Sequence, residues 1–293
     1  MFNIHRVEIS LPLISYYYYY YYLIFLLTLT ANPSNSALDS FIYVGCSQLR
    51  YDPGTPYESN VNSVLASLVN SASISNFNNF KISLPGSTQN DVVYSLYQCR
   101  GDLSNSDCHD CVAKAISRLG TFCGGASGGA LQLEGCFVRY DNISFLGVED
   151  KAVVSNKCGP SIGTYDTDLF SRRDAVLAYL TGSGQFFRVG GSGKVQGMVQ
   201  CVQDLSMSEC QDCLSEAIQR LKSECGSSAW GDMFLGKCYA RYSERGYTPN
   251  SGNNEDDTEK TLAIIIGLVA CVAVLIVFLS FLSKYFNKKG GGK

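Results

Sequence analysis

The chain has 293 residues, 46% of them apolar and only 17% charged, a balance too hydrophobic for a disordered protein and poor in charge for a cytosolic enzyme. Four lysines fall in the last ten residues, so the rest of the chain is acidic by seven charges (19 basic against 26 acidic residues), a poor match to nucleic acid or another polyanion. Two histidines, His5 and His109, leave little scope for histidine-dependent catalysis or metal binding, and no cofactor is expected.

In chain order, Arg6 is followed by an apolar stretch, seven consecutive tyrosines (16–22) and LIFLLTLT (23–30), with small residues Ser34, Ser36 and Ala37 after it. This reads as a secretory signal peptide over 1–37, an uncleaved anchor being the competing reading. Near the other end, 262–282 is LAIIIGLVACVAVLIVFLSFL, without a charge. As a helix it would measure about 31 Å, enough to cross a bilayer. An acidic stalk (248–260) precedes the predicted span (261–283) and a lysine-rich tail (284–293) follows, so the positive-inside rule places the C-terminus in the cytosol. Within the span Ala263, Gly267 and Cys271 form a small-xxx-small row that lets two helices approach closely.

Between these ends lies a repeat written in cysteine. Cys99, Cys108, Cys111, Cys123 and Cys136 recur 102 residues later as Cys201, Cys210, Cys213, Cys225 and Cys238. Each copy has one earlier cysteine, Cys46 and Cys158, giving two domains (38–145 and 150–247) of six cysteines each, with Cys271 left over in the span. Even counts in small exported domains point to disulfides, and spacing alone leaves 15 pairings open per domain.

The predicted elements repeat as well. Val61, Val64, Leu65, Leu68 and Val69 predict a helix in the first copy, and Leu169, Val176, Leu177 and Leu180 one in the second. A further helix starts at Ser104 and again at Ser206, where Ser104 with Asp107 and Ser206 with Glu209 read as capping boxes. Cys108, Cys111, Val112, Ala115, Ile116 and Leu119 form its buried stripe, matched by Cys210, Cys213, Leu214, Ala217, Ile218 and Leu221. The segments 130–140 and 232–242 alternate like strands, and GGASGG (124–129) reads as a turn connecting strands. The fold class is α+β: two tandem disulfide-stabilised domains, each with two helices packed on an antiparallel sheet, plus one transmembrane helix.

No enzyme chemistry emerges from these residues. Each CxxC pair sits among ten other exported cysteines, a setting for structural bridges rather than redox catalysis or zinc. His109 is replaced by Gln211 in the second copy, so it is read as a solvated helix position rather than a general base. Asn142-Ile143-Ser144 is a glycosylation sequon.

The duplicated C-x8-C-x2-C spacing, at Cys99, Cys108, Cys111 and at Cys201, Cys210, Cys213, resembles the plant cysteine-rich domain of unknown function 26, also called the gnk2-homologous or stress-antifungal domain. With a leader, two copies, one span and a short tail, the chain is similar to the plasmodesmata-located protein family. The resemblance implies the bridges Cys46–Cys123, Cys99–Cys108 and Cys111–Cys136, and Cys158–Cys225, Cys201–Cys210 and Cys213–Cys238. It also implies a non-enzymatic, receptor-like type I protein at plasmodesmata, with callose deposition, restricted cell-to-cell traffic, defence signalling and association with viral movement proteins. Implied partners are the membrane, receptor-like kinases and further copies or relatives through ectodomain or span. The alternatives are a membrane-tethered carbohydrate-binding or antifungal module of the apoplast and a co-receptor of a cysteine-rich receptor-like kinase. In mannose-binding members of the domain family an Asn, an Arg and an acid hold the sugar. Those places hold Ser47, Ala130 and Asp141 here, then Gly159, Asp232 and Ser243, so only Asp141 keeps its type and neither copy carries the mannose set.

Overall fold

The computed structural model describes residues 37–83, 91–162, 167–182 and 184–244. The leader, the stalk, the predicted span with Ala263, Gly267 and Cys271, and the tail lie outside them, leaving only Ala37 and its neighbours at the leader's edge. Among the described residues no helix is long and apolar enough to cross a membrane.

A 3-10 turn (Ala37–Asp39) leads into the first domain: β1 (Phe41–Cys46), α1 (Pro56–Ala72), β2 (Phe77–Ile82), β3 (Val93–Cys99), α2 (Asn105–Phe122), β4 (Gly128–Leu133) and β5 (Cys136–Asp141). The second repeats it as β6 (Val153–Cys158), α3 (Thr167–Leu180), β7 (Phe187–Ser192), β8 (Val195–Cys201), α4 (Met207–Glu224), β9 (Trp230–Leu235) and β10 (Cys238–Ser243). Each sheet is antiparallel, in the order β1-β4-β5-β3-β2 and β6-β9-β10-β8-β7.

Local chemistry sets the helix starts. The Thr55 hydroxyl accepts from the Glu58 N–H, and Pro56 opens α1 where its missing N–H costs nothing. Ser104 and Ser206 cap α2 and α4 in the same way. Only the second is a full capping box: Glu209 reaches back to the Ser206 N–H at 2.8 Å. Asp107, one methylene shorter, instead accepts from the Ser104 hydroxyl at 2.7 Å, so the first copy departs from the reciprocal box expected of it. GGASGG departs too, because it joins α2 to β4 and its last two glycines already belong to the strand.

One face of each sheet packs on its helices. In β3, Val93, Tyr97 and Cys99 enter the core with Val61, Val64 and Leu68 of α1 and Val112, Ala115 and Leu119 of α2. Val195, Val199 and Cys201 of β8 do the same with Val176, Leu177 and Leu180 of α3 and Leu214, Ala217 and Leu221 of α4. Six intradomain disulfides tie these layers: Cys46–Cys123, Cys99–Cys108, Cys111–Cys136, Cys158–Cys225, Cys201–Cys210 and Cys213–Cys238. Each of α2 and α4 is thus bridged to its sheet at its first turns and just past its end, which holds the helix in register on the strands.

The opposite sheet faces carry a second set of contacts. Leu96 and Phe137 of the first domain meet Val202 of the second, together with Phe145 of the connecting segment, and Met198, Phe234 and Tyr239 gather against Ile42. The two sheets therefore turn their helix-free faces toward each other.

Candidate functional site

The seam between the sheets is polar at its centre, and its charges are paired. Arg241 on β10 donates to both oxygens of Asp232 on β9, at 2.8 and 3.0 Å, and its remaining arm reaches Glu134 of the first domain at 2.7 Å. Arg100, held at 2.6 Å by Asp102, approaches the same Glu134 oxygen at 3.5 Å. Burial raises the Glu134 carboxyl above its ordinary range, against the opposing pull of Arg241 and Arg100. Backbone and amide groups add to the join. Gln200 donates to the Cys99 carbonyl at 2.8 Å, and Gln98 accepts from the Gln203 N–H at 3.0 Å. These two glutamines occupy equivalent places in the repeats, each just before a bridged cysteine.

A second clasp holds the connecting segment. Lys237, fully buried, is ion-paired with Asp204 and donates to the Phe145 carbonyl at 3.1 Å. Asp204 also accepts from the Gly147 N–H at 3.0 Å. Burial pulls the Lys237 ammonium below its ordinary range, and Asp204 works against that shift.

An open groove of about 330 Å³ lies beside this seam, walled mainly by the first domain, with Asp150, Val154 and Gly236 of the second at its edge. Ser47, Ala130 and Asp141 all line it, together with Arg139, Asn142 and Asp150, so the fold gathers the three positions singled out in the sequence by comparison with a mannose set. The chemistry there differs from a mannose site. The Ser47 hydroxyl is engaged with the Leu49 N–H and the Ser127 hydroxyl at 3.1 Å each, Ala130 offers a methyl, and Asp141 accepts from the Ile143 N–H at 3.2 Å. Arg139 lies 3.4 Å from Asp150 and 4.4 Å above the Phe145 ring. Tyr140, beside the groove on β5, turns its ring into the helix-side core, where its hydroxyl donates to the Ala126 carbonyl at 3.0 Å and burial raises its phenol to about 12.

The second domain fills the same place. Trp230 stands where the first domain has Gly128, and its ring covers Gly159, where a Cβ would lie only 2.5 Å from the indole. Asp232 is turned into the Arg241 pair and Ser243 ends β10. Of the remaining residues singled out in the sequence, His109 is partly exposed beside Asp110 on α2, and Asn142 sits on the rim of the open groove. Among the described residues no group of three or more His, Cys, Asp or Glu is placed to hold a metal ion. Sequence reasoning missed Glu134, Lys237, Gln98 and Gln200. For Gln98 and Gln200 the one signal was the QC dipeptide that opens both cysteine runs.

The sequence profile of the Salt stress response/antifungal family matches residues 45–143 and 156–245, one match per domain. Plasmodesmata-located protein 6 of Arabidopsis thaliana is 56% identical over 280 residues, covering 92% of this chain and 96% of that protein. Plasmodesmata-located protein 7 of the same plant is 55% identical over 273 residues, covering 91% of each. Among solved structures, the tandem DUF26 ectodomain of the Arabidopsis thaliana cysteine-rich receptor-like protein PDLP5 superposes with a TM-score of 0.67 at 44% identity, covering 70% of this chain and 99% of that one.

Proposed function

We propose that this chain, which belongs to the plasmodesmata-located protein family, is a non-enzymatic, receptor-like type I membrane protein of plasmodesmata. Its two domains are carried outside the cell as one binding unit, and residues 261–283 hold that unit in the membrane. In this reading it regulates cell-to-cell trafficking through callose deposition and defence signalling, with receptor-like kinases and viral movement proteins as its partners. The observation that carries the reading is the likeness to Plasmodesmata-located protein 6, which runs over nearly the whole of both chains rather than over the cysteine-rich domains alone. The seam supports it from the physical side. Its buried charges are taken up in pairing with one another, Arg241 with Glu134 across the domains and with Asp232 inside the second, and Lys237 with Asp204 beside the connecting segment, which suits a rigid recognition body better than a reaction site.

A fluorescent protein fused to the C-terminus tests the location: puncta at cell walls that coincide with callose are expected. Loss of the protein should widen dye movement between cells. An even plasma-membrane rim with unchanged dye movement would discard the proposal. The open groove favours one second reading, a membrane-tethered carbohydrate-binding module, because Asp141 keeps its acid there and the space is of ligand size. Glycan-array binding that disappears in Asp141→Ala would support that second reading.

A further inference from the structure

We propose that the occupant of the first-domain groove is the innermost sugar of an N-linked glycan carried by this chain's own Asn142. Asn142-Ile143-Ser144 is the single sequon in the chain, and it falls on the rim of the groove rather than on a distant surface. Position 142 follows β5 directly in a bend, where the Ile143 N–H donates to the Asp141 carboxylate at 3.2 Å, and that bond fixes the acceptor residue beside the opening. Ile143 and Ser144 are exposed, so a transferase has access to the segment. The groove, at about 330 Å³, has room for a sugar ring. Asp141, Asp150 and Arg139 offer acceptors and a donor to hydroxyl and acetamido groups, while Tyr43 and Phe137 supply an apolar wall for a ring's C–H face. The second domain has neither part of the device: Glu244 stands at the place of Asn142, and Trp230 already fills the space.

The covalent step needs a lipid-linked oligosaccharide pyrophosphate donor and the secretory transferase that uses it. The Asn142 amide nitrogen forms a bond to sugar C1, the bond from C1 to the pyrophosphate oxygen breaks, the lipid pyrophosphate leaves, and the amide proton is lost to a base and then to solvent. No electrons are exchanged with an oxidant or reductant.

The test uses the full chain purified from plant cells in detergent in three forms: native, trimmed by an endoglycosidase that leaves one N-acetylglucosamine, and Ser144→Ala, which cannot be glycosylated. Peptide mass spectrometry should find a glycan on Asn142. Hydrogen exchange over residues 45–51 and 139–145 should be about tenfold slower in the native and trimmed forms than in Ser144→Ala. If Ser144→Ala does not fold, magnetisation transfer from isotope-labelled N-acetylglucosamine to Tyr43 or Phe137 protons in the trimmed form gives the same answer. An unmodified Asn142 overturns the proposal. So does equal exchange in all three forms, or a labelled sugar in contact with solvent alone.

Discussion

Arg241→Ala removes the guanidinium that joins Asp232 within the second domain to Glu134 in the first. The side chains of Arg241 and Glu134 are only 6% and 4% exposed, so little water is at hand to replace the lost partner. Taking one member from a buried pair leaves an uncompensated charge and costs about 3–5 kcal/mol. Arg100 stays 3.5 Å from Glu134 and offsets part of this, which places the expected loss near the lower figure, about 3 kcal/mol. That is a large share of the ~5–15 kcal/mol typical of a domain. The assay is urea unfolding of an ectodomain ending at residue 247 with its disulfides intact, followed by fluorescence of Trp230, the one tryptophan in the chain. A cycle with Glu134→Gln isolates the interdomain part, and a coupling of about 1–3 kcal/mol is expected. If the two substitutions add within about 0.5 kcal/mol, the ion pair does not hold the domains together and the reasoning fails.

Cys111→Ala strands Cys136 and opens a bridge spanning 25 residues, an expected loss of about 3–4 kcal/mol, read as retention of the variant in the early secretory pathway while the wild type reaches the wall. Because Glu134 titrates above its ordinary value of 4.5, the folded state takes up that proton at a higher pH than the unfolded one. The wild type should therefore gain on Glu134→Gln as the pH falls through this range and lose the margin as the pH rises; denaturation midpoints at about pH 7 and about pH 5 measure it, and a margin that narrows on acidification contradicts the assignment. Protease added outside intact cells should remove both cysteine-rich domains and spare a C-terminal tag, whereas digestion of the tag would reverse the proposed topology.

The helices were legible because their apolar residues recur at three- and four-residue steps and one face of each stays polar. Strands β4, β5, β9 and β10 were legible from alternation and from the cysteine at the head of each hairpin's second strand. β3 and β8 were not, and the reason is the seam: Leu96 and Gln98 are buried against the second domain while Tyr97 and Cys99 are buried against the helices, so the period of two is erased. Lys237 carried no signal either. A lysine beside a bridged cysteine, at a place where the first copy has Gly135, reads as solvated, and only the arrival of Asp204 and the Phe145 carbonyl makes it an interior residue. Spacing left the cysteine partners open because many pairings are compatible with it; the folded helix decides by bringing Cys111 to Cys136 on β5 while its end delivers Cys123 to Cys46 on β1. The groove was legible only as three separate positions. That they meet, and that Asn142 stands with them, depends on β1, β4 and β5 lying side by side.

The clasp around Lys237 also bears on how such a protein would report what it touches. A receptor with a hinge converts ligand binding into an angle between its halves. Here any change of angle would draw Arg241 from Glu134, leaving buried charges without their counter-charges, and would pull the connecting segment's Phe145 carbonyl from Lys237 and its Gly147 N–H from Asp204. In the proposed membrane-anchored arrangement, contact at one end of the domain pair is therefore delivered to the other as displacement of the whole body. A signal borne this way is one of place and company: which chains stand next to one another in the membrane, rather than what shape any one of them has taken.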